Sequence, residues 1–103
     1  MIKAIRKKAS SQRVKERKLR TRIREISLKA KELSLAIELK RLKIKPIDIL
    51  KDANNCLLKV DASNFKAGTK IRLAEFIIRV GFSPSIQTKA IDFWRKKFKG
   101  SKF

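Results

Sequence analysis

Histidine and tyrosine are absent from the 103-residue chain, and cysteine occurs once, at Cys56. Without histidine, neither a Ser–His nor a Cys–His nucleophile pair can form, and the usual zinc-ligand sets are missing. A single cysteine also excludes an internal disulfide and fits the cytoplasm or another reduced intracellular compartment. These absences predict a non-enzymatic protein with no cofactor, no metal and no small-molecule substrate. A two-carboxylate or metal-dependent nuclease is the enzymatic alternative.

Glycine and long apolar runs are also scarce. The three glycines stand singly, so the sequence contains no phosphate-cradling loop. The longest uncharged stretches, such as 80–88, fall well short of the roughly eighteen apolar residues of a membrane span. The first ten residues lack the apolar region of a secretory signal. We therefore expect no membrane association. Residues 1–24 are basic and contain Ser10 and Ser11, so a removable transit peptide is an alternative explanation of this segment.

Acidic residues are few. Nine Asp and Glu stand against 29 Lys and Arg, which gives a net charge of +20 and a pI near 11. The 43% apolar content is ordinary for one folded domain, so the charge excess does not indicate disorder. Such a charge repels itself and costs stability, and solubility alone requires much less of it. We therefore expect a polyanionic partner, and nucleic acid fits a domain this basic.

The basic residues are concentrated at the two ends of the chain. The first 24 residues contain eleven Lys or Arg and one acid, Glu16, and the segment WRKKFKGSKF near the carboxyl end contains no acid. Mixed Arg and Lys suit phosphate binding, since arginine contacts phosphate in a bidentate manner and each neutralised phosphate releases a counterion. The alternative to phosphate binding is a structural role, in which these cations stabilise helix C-termini or cover apolar surface. The predicted phosphate contacts are Lys3, Arg6, Lys7, Lys8, Arg13, Lys15, Arg17, Lys18, Arg20, Arg22, Arg24, Arg95, Lys96, Lys97, Lys99 and Lys102.

Apolar residues recur at helical spacing along most of the chain, and no segment alternates as a strand does. The spacing predicts an all-α fold, with a long N-terminal helix plus three shorter helices in a small helical bundle. The expected organisation is a basic N-terminal arm at 1–17 and a helical domain at 18–103. Within that domain we expect the long helix at 19–43 and a helical hairpin at 65–99.

Several residues indicate where these helices begin and end. Pro46 should end the long helix and begin the next element, and the DANN sequence inside 46–60 indicates that this element consists of two short pieces. In the hairpin, Gly81 is expected just after the first helix. Ser83 and Pro84 should then begin the second helix as N-cap and first helical residue.

The predicted helix 19–43 has two apolar stripes. One is a heptad seam of Leu19, Ile23, Ile26, Ala30, Leu33 and Ile37, and the other comprises Leu28, Leu35, Leu39 and Leu42. At about 100° per residue the two stripes lie on opposite sides of one helix. A helix that is apolar on two faces must be covered on both. We expect either a second subunit or partner protein on one face, or a core within the chain that covers both.

Three aromatic residues, Phe93, Trp94 and Phe98, lie among the charges of the C-terminal block and could stack on unpaired bases. Their helical spacing favours core packing instead. For any stacking role the sequence points to Phe98 or Phe103.

The hairpin also resembles a modified helix-turn-helix in the length of its connection, 81–85. Its second helix would then present Ser85, Gln87, Thr88 and Lys89 to base edges. No signature of an RRM, KH or zinc-knuckle module is present.

Together these patterns predict a non-enzymatic protein that binds nucleic-acid backbone as a small subunit of a nucleoprotein assembly. Recognition of the backbone by shape and charge suits structured RNA or an architectural role on DNA, and RNA is slightly favoured. One alternative is a DNA-binding accessory protein with a modified helix-turn-helix. An alternative of another class is a protein-interaction module that docks on an acidic protein partner.

Overall fold

The computed structural model describes the backbone of residues 2–99 and the side chains of residues 16–98. The fold is all-α, and the described part of the chain contains no strand. Six helices follow one another, where the sequence predicted four. They are α1 (Ile2–Glu32), α2 (Ala36–Arg41), α3 (Pro46–Lys51), α4 (Ala53–Ala62), α5 (Ala67–Gly81) and α6 (Pro84–Lys99).

The predicted helix 19–43 is divided into α1 and α2 by a turn at residues 33–35. Ser34 adopts the left-handed conformation, with φ of 58°. The amide of Leu35 donates to the carbonyl of Ala30 at 2.8 Å, and the amide of Ser34 donates to that of Lys31 at 3.1 Å. These two bonds form a Schellman motif, which satisfies the last carbonyls of a helix and reverses the chain direction. The expectation of one continuous helix was therefore wrong.

A second Schellman motif ends α2 nine residues later. Lys43 has φ of 56°, and the amide of Ile44 donates to the carbonyl of Leu39 at 2.9 Å. Lys45 is then extended, as expected of a residue before proline, and Pro46 is the first residue of α3. Asp52 separates α3 from α4 and caps α4, since its carboxylate accepts from the amide of Asn55 at 3.0 Å. The predicted division of 46–60 is thus confirmed.

The hairpin predicted at 65–99 is observed as α5 and α6, joined through Phe82 and Ser83. Pro84 begins α6, as predicted. Gly81 has a different role from the predicted one, because it is the last residue of α5 and has no positive φ. A Cβ atom at this position would lie 2.8 Å from the Cβ of Ala53, so glycine permits α5 to approach the start of α4 closely.

Helix α5 is the centre of the core. It contributes more fully buried side chains than any other helix: Ala67, Leu73, Ala74, Phe76, Ile77 and Ile78. The other helices pack their apolar faces around it, α4 through Cys56, Leu57 and Val60, and α6 through Phe98. The chain thereby forms one hydrophobic core.

The turn at 33–35 explains where the two apolar stripes go. Ile26 and Ala30 of the first stripe and Leu35 and Leu39 of the second are all buried in this same core. A straight helix could not achieve this, because the stripes would face opposite ways. Other stripe members remain at the surface, with Ile37 67% exposed and Leu28 54% exposed. Self-association through the segment 19–43 stays a prediction, but no single helix presents both stripes.

The first half of α1 extends beyond the core. All described side chains from Glu16 to Arg22 are exposed, and burial on this helix begins at Ile26. At 1.5 Å per residue a helix of this length is about 46 Å long, and the longest dimension of the molecule is 63 Å against 27 and 21 Å for the others. The segment predicted as a basic arm, 1–17, is therefore continuous with the rest of α1 from Ile2 onward.

Candidate nucleic-acid interface

Three arginines form one exposed face of the extending part of α1. Arg17, Arg20 and Arg24 are spaced by three and four residues, which places them on one side of a helix. Ile26 and Ala30, the residues that anchor α1 in the core, lie on roughly the opposite side. Within residues 16–98, no carboxylate forms an ion pair with any of the three. We call Arg17, Arg20 and Arg24 the arginine face.

Two further predicted residues of α1, Lys18 and Arg22, are exposed on a different side of the helix. The guanidinium of Arg22 donates to the carbonyl of Val80 at 3.2 Å. That carbonyl belongs to the last turn of α5, where unpaired carbonyls and the helix dipole favour a cation. Arg22 therefore helps to hold α1 against α5, and its charge remains at the surface.

Two arginines of α5 lie beside α1. Arg72 and Arg79 are exposed and, with Lys29 and Glu75, line a cleft of about 340 Å³ between α1 and α5. Arg72 also donates to the carbonyl of Leu33 and so caps the end of α1. Neither arginine was predicted from the sequence, because both lie outside the two basic blocks and reach α1 only through the fold.

The C-terminal basic block is partly neutralised within the molecule. Arg95 donates to Glu75 at 2.5 Å, and this hydrogen bond raises the pKa of the guanidinium above its ordinary value. Lys97 pairs with Asp61 at 2.8 Å and lies over the ring of Trp94 at 4.8 Å from its centroid. Lys96 is exposed and forms no ion pair with any residue of the described range. Phosphate binding by this block stays a prediction.

The remaining predicted contacts lie outside the part of the molecule whose side chains are described. The structure describes only the backbone, within α1 and α6, of Lys3, Arg6, Lys7, Lys8, Arg13, Lys15 and Lys99. Lys102 and Phe103 lie outside the described residues altogether.

The three aromatic residues of α6 differ in their exposure. Phe98 is only 2% exposed and packs against Trp94, with ring centroids 5.3 Å apart, as the favoured core-packing interpretation expects, so the choice of Phe98 for a stacking role was wrong. Phe93 is 61% exposed instead. Exposed Lys89 and Lys96, four residues before and three after, lie on the same side of the helix as Phe93. The spacing was informative, since Trp94 and Phe98 share the inward side and Phe93 falls outside it.

The helix-turn-helix residues are positioned by the short connection between α5 and α6. Ser85, Thr88 and Lys89 are exposed at the start of α6. Gln87 is half-buried, and its side-chain amide donates to the carbonyls of Arg79 at 2.9 Å and Phe82 at 3.0 Å. Gln87 therefore caps the end of α5, which a sequence pattern for base contacts does not reveal.

The described residues offer little for metal chemistry. Residues 2–99 contain no cluster of three or more acidic or cysteine side chains able to hold a metal ion. Cys56 is buried in α4, where desolvation and then the charge of Asp48 raise the pKa of its thiol. A thiol held in its protonated form is a poor nucleophile.

Of the described helices, none has the length and apolarity needed to cross a bilayer. Comparison with protein-family models, with curated proteins and with solved structures finds no match.

Proposed function

We propose that this protein is a non-enzymatic nucleic-acid-binding protein that contacts the phosphate backbone as a small subunit of a nucleoprotein assembly. The observation that carries the proposal is the arginine face, which is exposed, has no carboxylate partner among the described residues and lies on the part of α1 that extends beyond the core. Such a helix can lie along a polyanion while the core keeps its packing. Counterion release then provides the affinity.

RNA is the favoured polymer. Phe93 is exposed between two exposed lysines, an arrangement that suits an unpaired base stacked on an aromatic ring with its phosphates held on either side. Regular duplex DNA presents stacked bases that a surface phenylalanine cannot reach without deforming the duplex. Structured RNA with loops or bulges offers both a backbone for the arginine face and free bases for Phe93.

The second candidate is a DNA-binding accessory protein with a modified helix-turn-helix. The exposed Ser85, Thr88 and Lys89 at the start of α6 favour it. Against it, only two residues connect α5 and α6, where the motif usually has a turn of three or four, and Gln87 is already engaged with α5. A protein-interaction module that docks on an acidic protein is the candidate of another class.

The arginine face is tested by replacing all three of its residues. The triple variant Arg17→Gln, Arg20→Gln, Arg24→Gln removes three charges from the helix, and the matched control Lys51→Gln, Lys59→Gln, Lys66→Gln removes three exposed charges elsewhere. Affinity for a fluorescent RNA hairpin and for duplex DNA of equal length is measured by polarisation over a salt series. We expect the arginine variant to lose at least about tenfold in affinity and the salt slope to fall by about 2 to 3, since each lost phosphate contact removes about 0.7 to 0.9.

The control decides between a defined face and a general attraction. If both triple variants lose affinity equally, net charge alone is responsible and the arginine face is not the site. If the unaltered protein binds neither polymer at low salt, the proposal is wrong and an acidic protein partner becomes the favoured class.

The type of polymer can be read from the purified protein. With one Trp and no Tyr the protein absorbs weakly at 280 nm, so bound nucleic acid dominates the ultraviolet spectrum. Material released by high salt should be degraded by RNase and not by DNase. The opposite digestion result would favour the helix-turn-helix candidate.

A further inference from the structure

An apolar groove with a rim of lysines lies between the end of α1, helix α2 and the segment that leads into α3. Its volume is about 590 Å³, within the range of established ligand sites. The floor is mainly aliphatic and is formed by Ala30, Ala36, Leu39, Ile44 and Pro46, with Ser27 as a polar residue beside them. We call this feature the lysine-rimmed groove. It owes its shape to the two Schellman turns, which fold α2 back beside α1.

Four lysines surround this floor: Lys31, Lys40, Lys43 and Lys45. All four are exposed, and within residues 16–98 none of them pairs with a carboxylate. A groove with an apolar floor and an unneutralised cationic rim is complementary to a segment that is apolar on one side and acidic along its edges. Helix-in-groove recognition has this pattern, with apolar anchors below and charged pairs at the rim.

We propose that the lysine-rimmed groove binds an acidic amphipathic segment of a partner protein. A second copy of this chain is a poor ligand for this groove, because a chain with a net charge of +20 does not complement a rim of lysines. Nucleic acid is disfavoured because the floor contains no aromatic residue for a base to stack on, and a phosphate backbone gains nothing from an aliphatic surface. An acidic amphipathic peptide complements both parts of the groove, with aliphatic or aromatic side chains on the floor and carboxylates beside the lysines of the rim.

Lys43 brings its charge to the rim from the Schellman turn that ends α2. Its φ of 56° is a left-handed conformation that glycine adopts more easily than lysine. The position therefore keeps a cation at the rim at the expense of stability. Ser34 has the same strain in the preceding turn but does not line the groove, so it is a matched comparison.

The groove is separate from the proposed nucleic-acid contacts and does not depend on them. Lys31 follows Arg24 by seven residues on the same side of α1, so the groove begins where the arginine face ends. One molecule could thus hold a polyanion along α1 and a protein segment beside α2. This arrangement suits a small subunit of a larger assembly.

The test uses three fluorescent helical peptides and the full-length protein. One has leucines along one face and glutamates at the edges, the second has the same composition in scrambled order, and the third has lysines in place of the glutamates. We expect the first to bind and the other two to bind at least about tenfold more weakly, because the groove requires both apolar and acidic complementarity.

Variants locate the binding in the groove. Lys40→Glu should weaken the acidic peptide about tenfold, since it places like charge against the glutamates, whereas Lys51→Glu, the same reversal on α3 outside the groove, should change affinity less than about twofold. Lys43→Gly should weaken binding about threefold while it stabilises the fold, and Ser34→Gly should stabilise the fold without affecting the peptide. Saturating RNA hairpin should leave the acidic peptide bound.

Three results would overturn the proposal. Equal affinity for the ordered and the scrambled acidic peptide would show a general electrostatic attraction. Absence of binding by the ordered peptide would show that the groove has no such ligand. Displacement of the peptide by RNA, together with weaker RNA binding by Lys40→Glu, would assign the groove to nucleic acid instead. None of these results bears on the effect of the arginine-face variant, so the two proposals can fail separately.

Discussion

Replacing Ser34 with glycine tests the division of α1 from α2 through the sign of its effect. In the structure Ser34 has φ of 58°, so Ser34→Gly removes a left-handed strain and should stabilise the protein. In one continuous helix over 19–43, the same residue would be near the middle. Glycine there would destabilise the protein by about 0.5 kcal/mol or less, since glycine is a weaker helix former than serine. The two arrangements therefore predict opposite changes.

The size of the stabilisation follows from two opposing effects. A residue other than glycine in the left-handed region costs about 1 to 2 kcal/mol of stability, which glycine avoids. Glycine also raises the entropy of the unfolded chain, and this lowers the stability by about 0.4 to 1 kcal/mol. Ser34→Gly should thus raise the free energy of unfolding by about 0.5 to 1 kcal/mol. Lys43→Gly, with φ of 56°, should do the same, and the double variant should gain about 1 to 2 kcal/mol, because the two turns are separate.

Thermal and urea unfolding followed by far-ultraviolet circular dichroism measure the change. For a domain of about this size 1 kcal/mol corresponds to a shift of about 4 to 8 °C in Tm. Arg24→Gly is the control, since it removes one cation, as Lys43→Gly does, from an exposed position within α1 and should lower stability. A lower Tm for Ser34→Gly would refute the turn and support a continuous helix. An unchanged Tm would show that the turn is not strained.

Three further predictions concern single residues. Gly81→Ala should cost about 1 to 3 kcal/mol of stability, because the new Cβ would lie 2.8 Å from Ala53 and 3.1 Å from the carbonyl oxygen of Ile49; an unchanged urea midpoint would contradict this close approach. Gly68→Ala should add about 0.5 kcal/mol, since Gly68 is helical and nothing lies within 4 Å of the added Cβ; a loss in the same assay would show a hidden contact. Burial raises the pKa of the Cys56 thiol, so the folded protein keeps the thiol proton to a higher pH than the unfolded chain does. The stability that the thiol contributes is therefore complete at neutral pH and declines as the pH rises through the raised pKa. The difference in unfolding free energy between the unaltered protein and Cys56→Ala should therefore shrink toward alkaline pH, and a constant difference would count against this linkage.

The candidate sites could be predicted from the sequence only in part. The excess of Arg and Lys identified α1 as the basic element, and helical spacing alone is enough to put Arg17, Arg20 and Arg24 on one face. The meeting of Arg72 and Arg79 with α1 could not be predicted, because it depends on how α5 packs against a helix some forty residues earlier in the chain. The ion pairs that neutralise Arg95 and Lys97 are likewise tertiary.

What the sequence determined by itself is local. The absence of histidine and the charge of +20 restrict the chemistry, while Pro46, the DANN segment and Pro84 mark helix ends because they alter the backbone of their immediate neighbours. Tertiary packing decided the features that no local sequence signal indicates. Residues 33–35 contain neither glycine nor proline, yet the chain turns there because the turn brings both apolar stripes into one core and a straight helix would leave one of them in water. The energy of burying Leu35 and Leu39 outweighs the left-handed strain at Ser34, and the lysine-rimmed groove exists only because of that choice.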